Sequence, residues 1–135
     1  MEKQENYSKN FDDWNNVKKV LEKDIENFLE VKERELWWCS LGINLGDEED
    51  GKHDNFERPV LIIKKFNNRI IWVLPLSTQS GNLKYYFSVN YKNIKSYVIL
   101  SQLRLISVKR LKRMLGKLSP KQFKEIKKKI ITFLN

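Results

Sequence analysis

Two apolar, β-branched runs separated by a pair of asparagines constrain this chain more than any other feature. The first is Arg58-Pro59-Val60-Leu61-Ile62-Ile63-Lys64-Lys65-Phe66, and Asn67-Asn68 follows it. The second is Arg69-Ile70-Ile71-Trp72-Val73-Leu74-Pro75-Leu76-Ser77-Thr78-Gln79-Ser80. Strand-forming runs flanking such a turn predict a β-hairpin. Arg58 stands at the entrance of its first strand, and Ser77 and Thr78 stand at the exit of its second. Antiparallel pairing lays those two ends side by side. A fixed positive charge and one or two hydroxyls therefore meet on the rim of a sheet.

The remaining chain is read around that hairpin. Its 135 residues, 41% hydrophobic and 12% aromatic, suffice for one domain with a packed core and exclude a disordered chain. Trp14, Val17, Leu21, Ile25 and Phe28 recur at helical spacing and predict a helix over about 10–32. Leu36–Ser40 reads as a strand, and 41–57 as a long acidic loop. Tyr85–Tyr91 is a further strand, and Tyr97–Ile106 holds one or two more. Residues 108–113 read as a helical turn and 114–118 as a short strand. Ser119-Pro120-Lys121-Gln122 has the form of a helix N-terminus, with Ser119 as cap and Pro120 at the first helical position. Many short strands with little helix between them predict a mainly β (α+β) fold, a small curled antiparallel sheet or barrel.

Charge narrows the partner. Residues 58–135 hold 18 Lys/Arg against one acidic residue, whereas 34–57 hold 2 against 7. So basic a back half is expected to meet a polyanion. The lone Cys39 makes no internal disulfide, lies in a Trp-rich strand and reads as a buried thiol. Neither a metal-ligand cluster nor a phosphate loop nor a Ser-His-Asp order is visible, so no cofactor is expected. The start lacks a secretory signal and no apolar run is long enough to span a membrane, which predicts a cytoplasmic protein without membrane contact.

Arg34-Glu35-Leu36-Trp37-Trp38, Gly46-Asp47-Glu48-Glu49, Arg58-Pro59-Val60-Leu61-Ile62-Ile63, Leu74-Pro75-Leu76-Ser77-Thr78-Gln79-Ser80 and Ile99-Leu100-Ser101-Gln102-Leu103-Arg104 occur in that order. This ordered set, with the C-terminal helix, resembles the PemK/MazF family of bacterial toxins over residues 34–134. The resemblance implies an SH3-like β-barrel of five to seven strands with a C-terminal helix, over residues 34–135. Residues 1–33 would be an added helical extension. It further implies a homodimeric, metal-independent endoribonuclease acting on single-stranded RNA and held inactive by an acidic antitoxin protein. Arg58 falls on the family's catalytic arginine, Ser77 on its usual catalytic threonine, and Glu48 on its loop glutamate. Glu49 or Asp50 stand as alternatives to Glu48 in a longer loop. Thr78, Gln79, Lys84, Gln102 and Arg104 are the expected RNA contacts, with strand alternation turning Thr78 away from Ser77. His53 suits acid–base chemistry but lies in the inserted part of the loop, and reads as a surface histidine. Two other readings stand beside the nuclease: a barrel that binds nucleic acid without cutting it, and a toxin that binds a protein target.

Overall fold

The computed structural model describes residues 13–18, 30–42 and 57–135. Seven strands form one curled antiparallel sheet: β1 (Glu35–Ser40), β2 (Glu57–Lys65), β3 (Ile70–Ser77), β4 (Tyr86–Tyr91), β5 (Ile94–Ile99), β6 (Arg104–Ser107) and β7 (Leu111–Lys117). The strand order is β4-β5-β3-β2-β1-β7, with β6 also pairing β3. A helix over Pro120–Thr132 ends the chain.

The β2–β3 hairpin forms as read. Val60 pairs Pro75 and Leu61 pairs Leu74, with a bulge between Ile62 and Lys64. Asn67 Oδ1 accepts from the backbone N–H groups of Arg69 and Ile70 at 2.7 and 2.9 Å, closing the turn. An unbroken apolar run such as Val60–Ile63 requires cover on both faces of its strand, and it has it. Val60 and Ile62 join a core with Trp37, Cys39, Ile71, Val73 and Ile106. Leu61 and Ile63 join a second with Leu74, Leu76, Val89, Val98, Phe123 and Ile126. The curl of the sheet encloses the first core, and the C-terminal helix covers the second.

β3 is the shared element. Its first half, Ile70–Val73, pairs β6. Its last residues, Leu76 and Ser77, pair Val98 and Tyr97 of β5. β4 and β5 join through Lys92 and Asn93, both at positive φ (48° and 64°), the geometry of a tight two-residue hairpin turn. Ser119 caps the C-terminal helix as read, its Oγ accepting from the Gln122 N–H at 3.2 Å.

Three readings are corrected. Residues 108–113 are one 3₁₀ turn, Val108–Arg110, running directly into β7, which begins earlier than the strand expected at 114–118. Pairing of Leu111, Arg113 and Met114 with β1 accounts for the extended backbone there. Residues 13–18 are helical, but 30–32 are not. Val31 is instead buried in the first core, and the Lys32 N–H donates to Glu35 Oε1 at 2.8 Å. Trp14 is buried, and its ring lies where a side chain at Gly42 would stand, so that glycine admits the helical segment against the sheet.

Two outcomes follow from the packing. Ile126 is fully buried, so Ile126→Ala is expected to cost about 2–5 kcal/mol in urea unfolding. Burial pushes the Cys39 thiol up to about 12, although Arg110, Arg104 and Lys112 pull it down. Below about pH 9 the thiol is neutral in both states. Between about 9 and 12 the unfolded chain ionises while the fold holds the thiol neutral, so this part of the stability falls as pH rises. Cys39→Ala should flatten the alkaline limb of a stability–pH curve, and the native wild-type thiol should resist alkylation at pH 8 until urea opens the core.

Candidate functional site

Strand pairing does what the hairpin reading requires. The β2–β3 ladder reaches Val60 opposite Pro75, which leaves Arg58 and Ser77 at the same end of the hairpin, just beyond the last paired residues. Arg58 is only 7% exposed. Its Nη1 donates to the backbone carbonyl of Leu76 at 3.0 Å, which sets the guanidinium against the peptide preceding Ser77. The sequence places Arg58 on an open rim. It is drawn in because β1 pairs alongside, with Cys39 opposite Arg58.

Arg58, Ser77 and Thr78 line one pocket of about 200 Å³, together with Trp38, Glu57, Pro59, Leu76 and Ser96. Ser77 Oγ accepts from the Gln79 backbone N–H at 3.1 Å, which orients the hydroxyl. Thr78 follows the end of β3 at Ser77, where strand alternation no longer applies, and is among the residues lining the pocket.

Glu57 is the pocket residue that sequence reading missed. It is 6% exposed, and its Oε1 accepts from Arg113 Nη1 at 3.1 Å. The Arg113 guanidinium also stacks over the Trp38 ring, 5.0 Å from its centroid. The β1–β7 register, with Trp38 opposite Arg113, brings this residue 56 positions along the chain to Glu57. The signal available in the sequence was a carboxylate directly before the rim arginine.

The other predicted contacts do not all gather there. Gln79 enters through its backbone. Lys84 sits over the Tyr85 ring, 5.5 Å from its centroid, and lines a separate groove of about 900 Å³ beside the end of the C-terminal helix, with Leu103, Lys129 and Phe133. That groove is larger, but Arg58, Ser77 and Glu57 are not part of it. Gln102 closes the 3₁₀ turn after β5. Arg104 pairs Val73 and acts electrostatically on Arg110 and Cys39. Burial lowers the Arg110 pKa, and Arg104 adds to this. Glu48 and His53 lie outside the described residues. Among the described residues, no group of three or more His, Cys, Asp or Glu is placed to hold a metal ion, and no helix is long and apolar enough to cross a membrane.

The arrangement is a fixed guanidinium, an oriented hydroxyl and a carboxylate around a small cavity. A guanidinium binds a phosphate through two parallel donors, and the other two groups can give and accept protons.

Comparisons with known proteins agree with this architecture. No curated protein sequence matches the chain. Among solved structures it is similar to the Mycobacterium tuberculosis toxin MazF-mt6, at 22% identity and a TM-score of 0.58, over 75% of this chain and 96% of that one. It is similar to MazF from Deinococcus radiodurans, at 13% identity and a TM-score of 0.63, over 78% and 97%. A mycobacterial endoribonuclease in complex with its cognate antitoxin matches at 15% identity and a TM-score of 0.59, over 78% and 95%. At these identities the likeness is one of fold. Residues 32–134 match the family profile of the PemK-like, MazF-like toxins of type II toxin-antitoxin systems, and the chain belongs to that family.

Proposed function

We propose that this toxin is a metal-independent endoribonuclease cutting single-stranded RNA at the Arg58 pocket. The observation that carries the reading is the placement of a buried guanidinium, anchored on the Leu76 carbonyl, beside the Ser77 hydroxyl in one cavity. The RNA supplies its own nucleophile. Its 2′-oxygen bonds to phosphorus and loses a proton, while the bond from phosphorus to the 5′-oxygen breaks and that oxygen takes a proton from solvent water. The products are a 2′,3′-cyclic phosphate and a 5′-hydroxyl.

Arg58 clamps the non-bridging oxygens and binds more strongly as charge grows on the phosphorane. It keeps its own proton and is therefore a clamp and not an acid. Ser77 donates a hydrogen bond to the same phosphate. Glu57 takes the proton from the 2′-hydroxyl, with Arg113 holding the carboxylate in place. Glu48, which lies outside the described residues, is then left for base reading.

The partners follow the family. We propose that a second copy and an acidic antitoxin bind this chain, in keeping with the basic stretch after residue 57 and with the antitoxin complex of a similar fold.

Purified protein should cut total RNA equally with and without chelator, leaving cyclic phosphate ends. Intact RNA with salt-sensitive binding would instead assign a binding module. Arg58→Ala should slow cleavage by about 10²-fold or more, the scale for losing one donor to a developing oxyanion. An unchanged rate removes Arg58 from the reaction. Glu57→Gln keeps the side-chain shape and should lower the maximal rate with little change in KM, removing a limb of the pH–rate profile. Retention of the wild-type profile would deny Glu57 its role as base.

A further inference from the structure

A second surface on this chain has no part in either core or in the Arg58 pocket. Along β3, Ile71 and Val73 are buried in the first core, while Ile70 and Trp72 between and beside them are exposed. Trp72 is 40% exposed, and Phe66 and Leu105 are 48% and 55% exposed. Trp72 stands opposite Lys64 on β2 and opposite Leu105 on β6, so the three form one row across the sheet. Phe66 meets Trp72 edge to face, with ring centroids 4.9 Å apart. The hairpin turn holds Phe66 in place, since its N–H donates to the Ile70 carbonyl at 3.2 Å.

Cations frame this patch. Residues 64–72 include Lys64, Lys65 and Arg69 and no acidic residue. The Val108 N–H donates to the Arg69 carbonyl at 2.8 Å, bringing the Lys109 region to the same turn. A carboxylate approaches at the margin, where Glu33 lies 3.9 Å from Lys64 Nζ. A second copy of the chain docked here would bring the same cations against these. A duplex would keep its base faces inside its own stack. A single-stranded nucleic acid offers both things this surface suits, flat base faces for the aromatics and phosphates for the cations.

We propose that Phe66 and Trp72 form a stacking platform for the bases of single-stranded RNA, with Lys64 and Arg69 meeting the flanking phosphates. The platform extends the substrate reading made for the Arg58 pocket and rests on it. Ser77 lies five residue steps along β3 from Trp72, a span of about 17 Å at the rise of a strand. The platform therefore holds RNA away from the scissile phosphate and adds affinity for longer strands.

The test uses a 12-nucleotide RNA carrying 2′-O-methyl groups, which binds but cannot cyclise, with affinity read by fluorescence anisotropy. Trp72→Ala should raise Kd at least about fivefold, the lower end for loss of one stacked base. Trp72→Phe should stay within twofold of wild type. The Lys64→Gln, Arg69→Gln double variant should reduce the salt slope of binding by about 1.4, the value for two phosphates on a single strand. Thermal midpoints close to wild type confirm that these exposed changes leave the fold intact. If Trp72→Ala misfolds, the Lys64→Gln, Arg69→Gln pair and photochemical cross-linking of Trp72 to RNA carry the test, and a wild-type salt slope with no cross-link overturns the platform. Wild-type binding that Trp72→Ala leaves unchanged overturns the platform alone. A lower sedimentation mass for Trp72→Ala with unchanged RNA affinity assigns the patch to a second copy and also overturns it. Failure of the wild-type chain to bind RNA overturns the nuclease reading and the platform with it.

Discussion

The hydrogen bond from Arg58 to the Leu76 carbonyl is the contact on which the pocket depends. Burying a guanidinium is costly unless its donors find acceptors. Here the acceptor is a backbone carbonyl at the far end of the hairpin, so the bond is made only when β2 and β3 are in register. Pro59 and Pro75 lie in these same strands and lack an N–H to give to the ladder. The Arg58 side chain supplies a donor where the backbone ladder is thinned. The charge is thus fixed by the fold and does not swing on a long side chain in solvent, which is the preorganisation that phosphorane stabilisation requires.

β3 converts that local geometry into a site with walls. Its first half belongs with β6 and its last residues with β5, so it changes partners between Val73 and Leu76. The cleft opened by that change is where Ser96 and Thr78 complete the pocket. The C-terminal helix stabilises the arrangement from a distance, since Phe123 and Ile126 pack on the same core as Leu76. Residues that hold the pocket in shape therefore lie far from it in sequence and carry no chemistry.

What the sequence disclosed follows from the range of each interaction. The hairpin, the Ser119 cap and the meeting of Arg58 with Ser77 depend on spacings within a strand, a turn or a pair of adjacent strands, and all were legible. Glu57 was overlooked because its significance comes from Arg113, delivered by the β1–β7 pairing. Lys84 and Arg104 looked equivalent as cations near polar loops. Sheet order separates them, one at the helix-end groove and the other beside Arg110 and Cys39. Trp72 was indistinguishable from the core residues around it, since which face of β3 stays uncovered depends on where the C-terminal helix lies. The helical period read through to Lys32 failed at Val31 because burial in the core outweighed local propensity.

The serine at position 77 illustrates how a neighbouring contact can supply what a side chain lacks. A threonine has a methyl group that limits its rotamers, and serine does not. In this chain Ser77 Oγ accepts a hydrogen bond from the Gln79 N–H, which restricts the same torsion. An oxygen that accepts from the backbone keeps its own O–H free to donate elsewhere. Arg58 lines the same cavity, so under the proposed reading that O–H is available to a phosphate bound by the guanidinium. Backbone geometry two residues downstream thereby does the orienting work of the absent methyl, and a Ser-for-Thr exchange at this position is compatible with the same chemistry.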